Sequence, residues 1–282
     1  MISLIGCDNH IFDVKQNHFP DGTLHLEPMQ HFPSQITQIS WHYENDAELF
    51  SLICLRRKYA NQEVTLLLPY IPHARMDRVK SDDDVFTLKY FAEVINSLNF
   101  KEVVVLDPHS NVSAALIDRI RIVEPISQID TAIHQMAFEI THEVGHEHYL
   151  QALEQIVLFF PDEGAMKRYS AYTPLPYAFG LKKRDWETGK IQGLQLINGD
   201  LVKGKNVLIV DDICSRGGTF LHSAKALKEA GANRIFLYVT HAEKTMVEGE
   251  MYNNLDLVER IYTTNSIFKL EWDDRNKVTI VN

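Results

Sequence analysis

The chain has 282 residues, 45% of them apolar, and carries 28 Lys and Arg against 38 Asp and Glu, a formal net charge of −10. That length suits two cores of moderate size, because domains usually run roughly 100–200 residues, and the acid excess excludes a general nucleic-acid binder while leaving room for local basic clusters around a phosphorylated small molecule. Cys7, Cys54 and Cys214 lack C-x-x-C spacing, acids interrupt the N-terminal stretch, and no run nears the roughly 18 apolar residues of a membrane span; the expectation is a cytoplasmic protein with reduced thiols, no export signal and no membrane association.

In chain order, 46–60 (DAELFSLICLRRKYA) spaces its apolar residues as a helix and 64–69 (VTLLLP) reads as a buried strand. A helix over 88–96 and a strand over 103–107 (VVVLD) follow. The helical pattern of 126–140 opens a second half with the same grammar: strands at 156–160, 207–210 and 235–240, and a helix over 222–230 stopped by Gly231. Short apolar runs alternating with amphipathic stretches predict an α/β fold in which helices cover a mainly parallel sheet. The boundary falls near residue 125, giving domains 1–124 and 125–282.

The stretch 207–220, VLIVDDICSRGGTF, carries the most chemistry. Ligands of open parallel sheets sit beyond the carboxyl ends of the strands, where Asp211 and Asp212 are expected to stand. Two carboxylates there suit a sugar diol or Mg²⁺, and Gly217, Gly218 and Thr219 suit a phosphate at the start of the next helix. The same letters also describe a plain turn and helix cap, and the stretch alone leaves both readings open.

Further stretches line up with one family. VDDICSRGGT resembles the D-D-x-x-D-T-G-G-T loop of the ribose-phosphate diphosphokinases, the phosphoribosyl pyrophosphate synthetases. HFPDGTLHLE (18–27) is similar to their F-S-D-G-E segment, LLPYIPHARMDRVK (67–80) to their P-Y-x-x-Y-A-R-Q-D-R loop, and VVVLDPHSN (103–111) to their V-D-L-H stretch. FPDEGAMKR (160–168) resembles P-D-x-G-x-x-x-R, and KKR (182–184) their flexible catalytic loop. Order and spacing hold over nearly the whole chain.

The resemblance implies two phosphoribosyltransferase-like domains, each a mainly parallel sheet flanked by helices. It implies transfer of the β,γ-diphosphate of ATP, with Mg²⁺, to the C1 hydroxyl of ribose 5-phosphate, giving phosphoribosyl pyrophosphate and AMP. ATP would meet Arg75, Met76, Asp77, Arg78 and His109, with Phe19 and Asp21 supplied by a neighbouring subunit of a homo-oligomer. Asp211, Asp212, Ser215, Arg216, Gly217, Gly218 and Thr219 would hold the ribose phosphate. Lys182, Arg184 and His109 would be catalytic, and His109 and Asp162 would lie at the metal. Moving a diphosphoryl group requires positive charge on phosphate oxygens and a bridging metal, which these residue types supply. Singly, each has an ordinary reading: a surface ion-pair cluster for Arg75 to Arg78, a hydrogen-bonded strand-end histidine for His109, a loop turn for Asp162, a solvated basic run for 182–184.

The departures fall in the ligand loops. Ser215-Arg216 replaces the usual Asp-Thr, removing a carboxylate and adding a guanidinium beside the 5-phosphate; Met76 stands for a glutamine and Thr23 for a glutamate. The chain stops soon after Ile280-Val281, short of the family's final helix, which puts its usual hexamer and allosteric phosphate site in doubt. An added Arg has more to bind in an acceptor with a second phosphate, so the alternative acceptor is the ribose 5-phosphate moiety of ADP-ribose, giving ADP-ribose pyrophosphate in NAD-related metabolism; equally, Arg216 would pair with a nearby carboxylate. A phosphoribosyltransferase would not need the Arg75 loop, and a silent regulatory paralogue would not need Lys182 and Arg184. His142-Glu143-Val144-Gly145-His146 spells H-E-x-x-H, a zinc-hydrolase pattern. Gly145 weakens a helix there, and His148 would face another way, so a solvent-facing histidine cluster is expected instead.

Overall fold

The computed structural model describes residues 1–29, 31–142, 145, 148–184, 191–254 and 256–282; at 142, 182–184, 191–192 and 272 it describes the backbone only. The chain divides into two compact units, Met1–Glu124 and Pro125–Asn282.

In the first unit the described residues form one seven-stranded sheet. Strands β1 (Ile2–Gly6), β2 (Ile11–His18), β3 (Leu24–Pro28) and β4 (Ile36–Trp41) are joined by β5 (Thr65–Leu67), β6 (Glu102–Leu106) and β7 (Ile120–Val123), in the order β3-β2-β1-β4-β5-β6-β7. The β4-β5-β6-β7 half is parallel, whereas β3-β2-β1-β4 pairs antiparallel. The outer antiparallel strand β2, IFDVKQNH, has no apolar signature and buries only Val14, whereas β1 and β4 give Ile2, Leu4, Ile39 and Trp41 to the core. Helices α1 (Glu48–Lys58), α2 (Thr87–Ser97) and α3 (Asn111–Leu116) flank the sheet, and Leu52 and Leu55 of α1 and Leu88, Phe91 and Ile95 of α2 share its core with Ile39, Leu66 and Val103. Glu48 is buried at the first turn of α1, where acids are favoured, and accepts from Trp41 Nε1 and the Glu44 N–H, each at 2.9 Å. This fastens α1 to the end of β4.

The second unit is the purer α/β layer structure. Among its described residues, β8 (Ile156–Phe160), β9 (Tyr177–Arg184), β10 (Ile191–Ile197), β11 (Asn206–Cys214), β12 (Ile235–Ala242), β13 (Ile261–Thr263) and β14 (Val278–Ile280) lie in the order β10-β9-β8-β11-β12-β13-β14. All neighbours are parallel except β9 with β10. Helices α4 (Ile126–His142), α5 (Tyr149–Glu154), α6 (Glu163–Tyr169) and α7 (Gly218–Glu229) complete it. The two-residue alternation of a strand explains why the central runs are apolar throughout. Val207 and Ile209 join Phe220, Ala224 and Leu227 of α7 in one core, while Leu208 and Val210 join Ala132 and Met136 of α4 and Tyr169 of α6 in another. A sheet covered on both faces leaves only its strand ends open to ligands.

One expectation changes, and the helix break anticipated at Gly145 is seen. The strand carrying the acids does not stop at Val210; it continues to Cys214, because β12 goes on pairing with it to Cys214↔Ala242 after β8 has paired for the last time at Ile209↔Phe159. The H-E-x-x-H motif does not occupy one helix: α4 ends at His142 and Gly145 has φ +104°, outside the helical region. Glu143, Val144, His146 and the His142 side chain lie outside the described residues, and His148 instead meets Gln151 at 3.0 Å.

Candidate active site

Past the end of β8, one flank of β11 runs on without that neighbour, and Asp211 and Asp212 lie on this length, Asp212 buried and Asp211 partly so. Strand alternation sends Asp212 to the face of α6, where Arg168 Nη1 lies 3.4 Å from its Oδ2. Asp211 is left in a different position. Burial and the adjacent Asp212 carboxylate, with Asp162 adding to the repulsion, push its carboxyl well above the usual carboxylate range, although its Oδ1 accepts the Asp212 N–H at 2.9 Å. The two acids are therefore unequal: Asp212 has a cation beside it, and Asp211 gains most from hydroxyl donors or a metal. Arg168 stands in the P-D-x-G-x-x-x-R stretch, and sequence reading assigned it no role.

Asp162 is the N-cap of α6, its Oδ1 accepting from the N–H groups of Gly164 at 3.0 Å and Ala165 at 3.1 Å. It thus does structural work as well as facing the acid pair.

Ser215 to Gly217 link β11 to α7. Gly217, at φ +75° and ψ +11°, is the cap of α7, and a Cβ there would sit 2.9 Å from Met251 Cε, so torsion and space both call for glycine. A glycine cap offers no side-chain acceptor, in contrast to Asp162 at α6. The first turn of α7, with Gly218 and Thr219 exposed, can give its N–H groups to an anion. Ser215 Oγ lies 3.2 Å from Thr245 Oγ1. Arg216 Nη2 lies 3.5 Å from Glu248 Oε2, the side chains being 72% and 57% exposed. Arg216 therefore does have a carboxylate partner, in a long, solvated pair that constrains it little.

In the first unit the loops after β5 and β6 leave adjacent parallel strands at the same end and meet. Burial alone would raise the Asp77 carboxyl, but the Arg78 hydrogen bond at 2.9 Å, the nearby Ser110 hydroxyl and the charges of Arg78 and His109 outweigh it and hold the carboxyl below its ordinary value. The Ser110 contact falls short of good hydrogen-bond geometry. Asp77, Arg78 and His109 are thus one group; Arg75 is exposed and Met76 half-buried beside them. His73, at φ +63°, anchors the loop through Asp46 at 3.2 Å.

Phe19 and Asp21 form a separate feature at the β2–β3 turn. Phe19 is half-exposed and stacks on His25, while Asp21 Oδ1 accepts from the Thr23 N–H at 3.0 Å and Thr23 Oγ1 at 2.7 Å. The backbone hydrogen bond from Thr23, followed by its hydroxyl, lowers the Asp21 carboxyl. Thr23, a departure from the family pattern, is here the residue that orients Asp21. Lys182 and Arg184 lie on β9 opposite Leu194 and Ile191 of β10; their side chains, and residues 185–190, are outside the described part.

The Phosphoribosyl transferase domain family matches residues 164–274, which include both acids and the loop from Ser215 to Thr219. A ribose-phosphate pyrophosphokinase of Sulfurisphaera tokodaii is 26% identical, covering 96% of this chain and 89% of that protein. One from Prochlorococcus marinus is 28% identical over 94% of this chain and 77% of its own. The crystal structure of phosphoribosylpyrophosphate synthetase from Mycobacterium smegmatis shares the fold, with a TM-score of 0.73 at 19% identity, over 97% of this chain and 87% of that one. Motifs, fold and near full-length similarity agree: the chain is similar to ribose-phosphate pyrophosphokinases along almost its whole length and carries a phosphoribosyl transferase domain.

Proposed function

We propose that the protein transfers the β,γ-diphosphate of ATP to the C1 hydroxyl of ribose 5-phosphate. The anomeric oxygen attacks the β-phosphorus, the bond from that phosphorus to the oxygen bridging the α-phosphorus breaks, and AMP leaves with that oxygen; the hydroxyl proton is released. The observation that carries this reading is the open flank of β11: the Asp211–Asp212 pair followed by the glycine-capped start of α7, inside the matched domain. Asp211 and Asp212 would accept from the ribose hydroxyls, while the Gly218 and Thr219 N–H groups and the Thr219 hydroxyl bind the 5-phosphate. The Arg75–Arg78 loop and His109 would bind ATP. Lys182 and Arg184, carried on β9, would neutralise the moving diphosphate and help to exclude water.

Mg²⁺ suits these residues. The like-charge crowding at Asp211 is what a divalent cation relieves, and Mg²⁺ is commonly held by one or two carboxylates together with substrate phosphates. When bound it would spread the charge of the diphosphate. Asp162 is oriented toward this group through its cap, and His109, a nitrogen donor, fits better against phosphate or metal-bound water than as a direct ligand. We also place the protein in a homo-oligomer of two or more subunits, in which the half-exposed Phe19 and the Asp21 turn complete a neighbour's ATP site.

A second reading keeps the reaction and changes the acceptor to ADP-ribose. Arg216 favours it, because a guanidinium beside the cradle with only a solvated partner at 3.5 Å is free to exchange that partner for a second phosphate. Incubation with Mg²⁺-ATP and either acceptor, with products weighed by mass spectrometry, separates the readings; no AMP release with either sinks both. If Arg216 binds a second phosphate, Arg216→Thr leaves ribose 5-phosphate use intact and weakens ADP-ribose use about tenfold or more. Equal effects on both acceptors would remove that role.

A further inference from the structure

We infer that the segment 243–251, which follows β12, is an acceptor-positioning strap for the phosphate loop, with Gly249 as its key positioning residue. The inference rests on the functional reading of Ser215 to Thr219 given above.

Each residue from Cys214 to Gly217 is met in turn by this segment. The Glu243 N–H donates to the Cys214 carbonyl at 2.8 Å, Thr245 Oγ1 lies 3.2 Å from Ser215 Oγ, Glu248 lies 3.5 Å from Arg216, and Met251 fills the space beside Gly217. The tightest contact is at Gly249. Its φ of −80° and ψ of 152° are open to any residue, so torsion does not require glycine. Space does: a Cβ there would lie 2.1 Å from the Arg216 carbonyl oxygen, 2.8 Å from its carbonyl carbon and 3.2 Å from its Cα. These are backbone atoms, and no rotamer change relieves the clash.

What would yield is decided by anchoring. The Gly249 N–H donates to the Met246 carbonyl at 3.1 Å and its own carbonyl accepts from Asn253 Nδ2 at 3.1 Å. Met246 and Met251 are buried in the core with α7, and Tyr252 beyond them donates to Asp274. Arg216, by contrast, is exposed. A methyl group at 249 therefore displaces the loop, not the strap, and moves Arg216 and the adjoining cap Gly217 away from the positions that aim the first N–H groups of α7. Misplacing a positioning group by about 1 Å costs roughly 100-fold, so the strap sets acceptor affinity although none of its side chains need touch the sugar.

The test compares wild type, Gly249→Ala, Thr245→Val and Thr245→Ser. Calorimetry without ATP measures binding of ribose 5-phosphate and of ADP-ribose, and steady-state kinetics measure the KM of each substrate. Gly249→Ala is expected to weaken acceptor binding about tenfold or more, with the KM of ATP within about twofold of wild type. Thr245→Val should do the same more mildly, and Thr245→Ser, which keeps the hydroxyl, should bind as wild type. Should Gly249→Ala fail to fold, the Thr245 pair decides alone, and equal binding by Val and Ser variants would overturn the strap. Unchanged acceptor binding in Gly249→Ala, or an equal rise in both KM values, would overturn it as well. Failure of the wild type to bind either probe would instead bring down the functional reading on which the strap depends.

Discussion

At the scale of residues, the acid pair is divided by what stands beside each carboxylate. Asp212 has Arg168 at 3.4 Å, whereas Asp211 is raised by burial and by Asp212. A raised carboxyl keeps in the folded state a proton that the unfolded chain has lost, so folded stability falls as pH rises from about 4, the ordinary Asp value, towards the raised one. Asp211→Asn removes that dependence. Its unfolding free energy, measured without metal, should match wild type near pH 4 and exceed it increasingly as pH rises above that, by roughly 1 kcal/mol, the usual size of relieving strain at a functional site. The same variant should lose activity. A free-energy difference that does not change with pH would show that the carboxyl is not strained. Cys214, one residue before the loop, is no competitor for this chemistry: burial first, then Glu243 and Asp211, push its thiol up to about 12.

At the scale of elements, the two helix starts of the second unit that flank the acids are built for opposite purposes. Residue Asp162 closes the start of α6 with two hydrogen bonds, and Gly217 leaves the start of α7 without a side-chain acceptor. Replacing Asp162 by Ala should remove the cap, cost about 1 kcal/mol and lower the melting point by roughly 2–4 °C. Asn caps as well as Asp, so Asp162→Asn should retain the melting point. If Asp162 also serves the metal and phosphates, Asp162→Asn loses activity while keeping stability; full activity in the Asn variant would reduce the residue to its cap.

At the scale of the whole molecule, the two units bring different chemistry: the first carries the Asp77, Arg78 and His109 group, and the second carries the acids, the phosphate loop and β9. In a chain of net charge −10, the ATP of the proposed reaction would be drawn by such local cations and not by the overall field. The proposed oligomer with a shared site makes a specific prediction. Phe19→Ala and Lys182→Ala, each inactive alone, should regain activity when mixed under conditions of subunit exchange, because a mixed dimer has one intact site; random pairing gives about a quarter of wild-type activity. No gain over the separate variants would place Phe19 in its own subunit's site or outside any site.

The sequence by itself determined the α/β class, the central strands and the motifs. Runs such as IVLFF and IFLYVT are buried at every position and almost wholly apolar because both faces of the strand are covered, and a loop such as DDICSRGGT must keep its residue types to keep its chemistry. Strands β2 and β3 and the β9–β10 hairpin were not legible, since solvated antiparallel strands need no apolar run; β1 (ISLIG) and β4 (ITQISW) are buried, but their apolar residues alternate with polar ones in short segments. Only the tertiary structure decided that β11 carries its acids within the strand, that Arg168 sides with Asp212, and that Gly249 lies against Arg216. Each of these depends on contacts between segments far apart in the chain, where the letters at either end are ordinary and only the distance between them is informative.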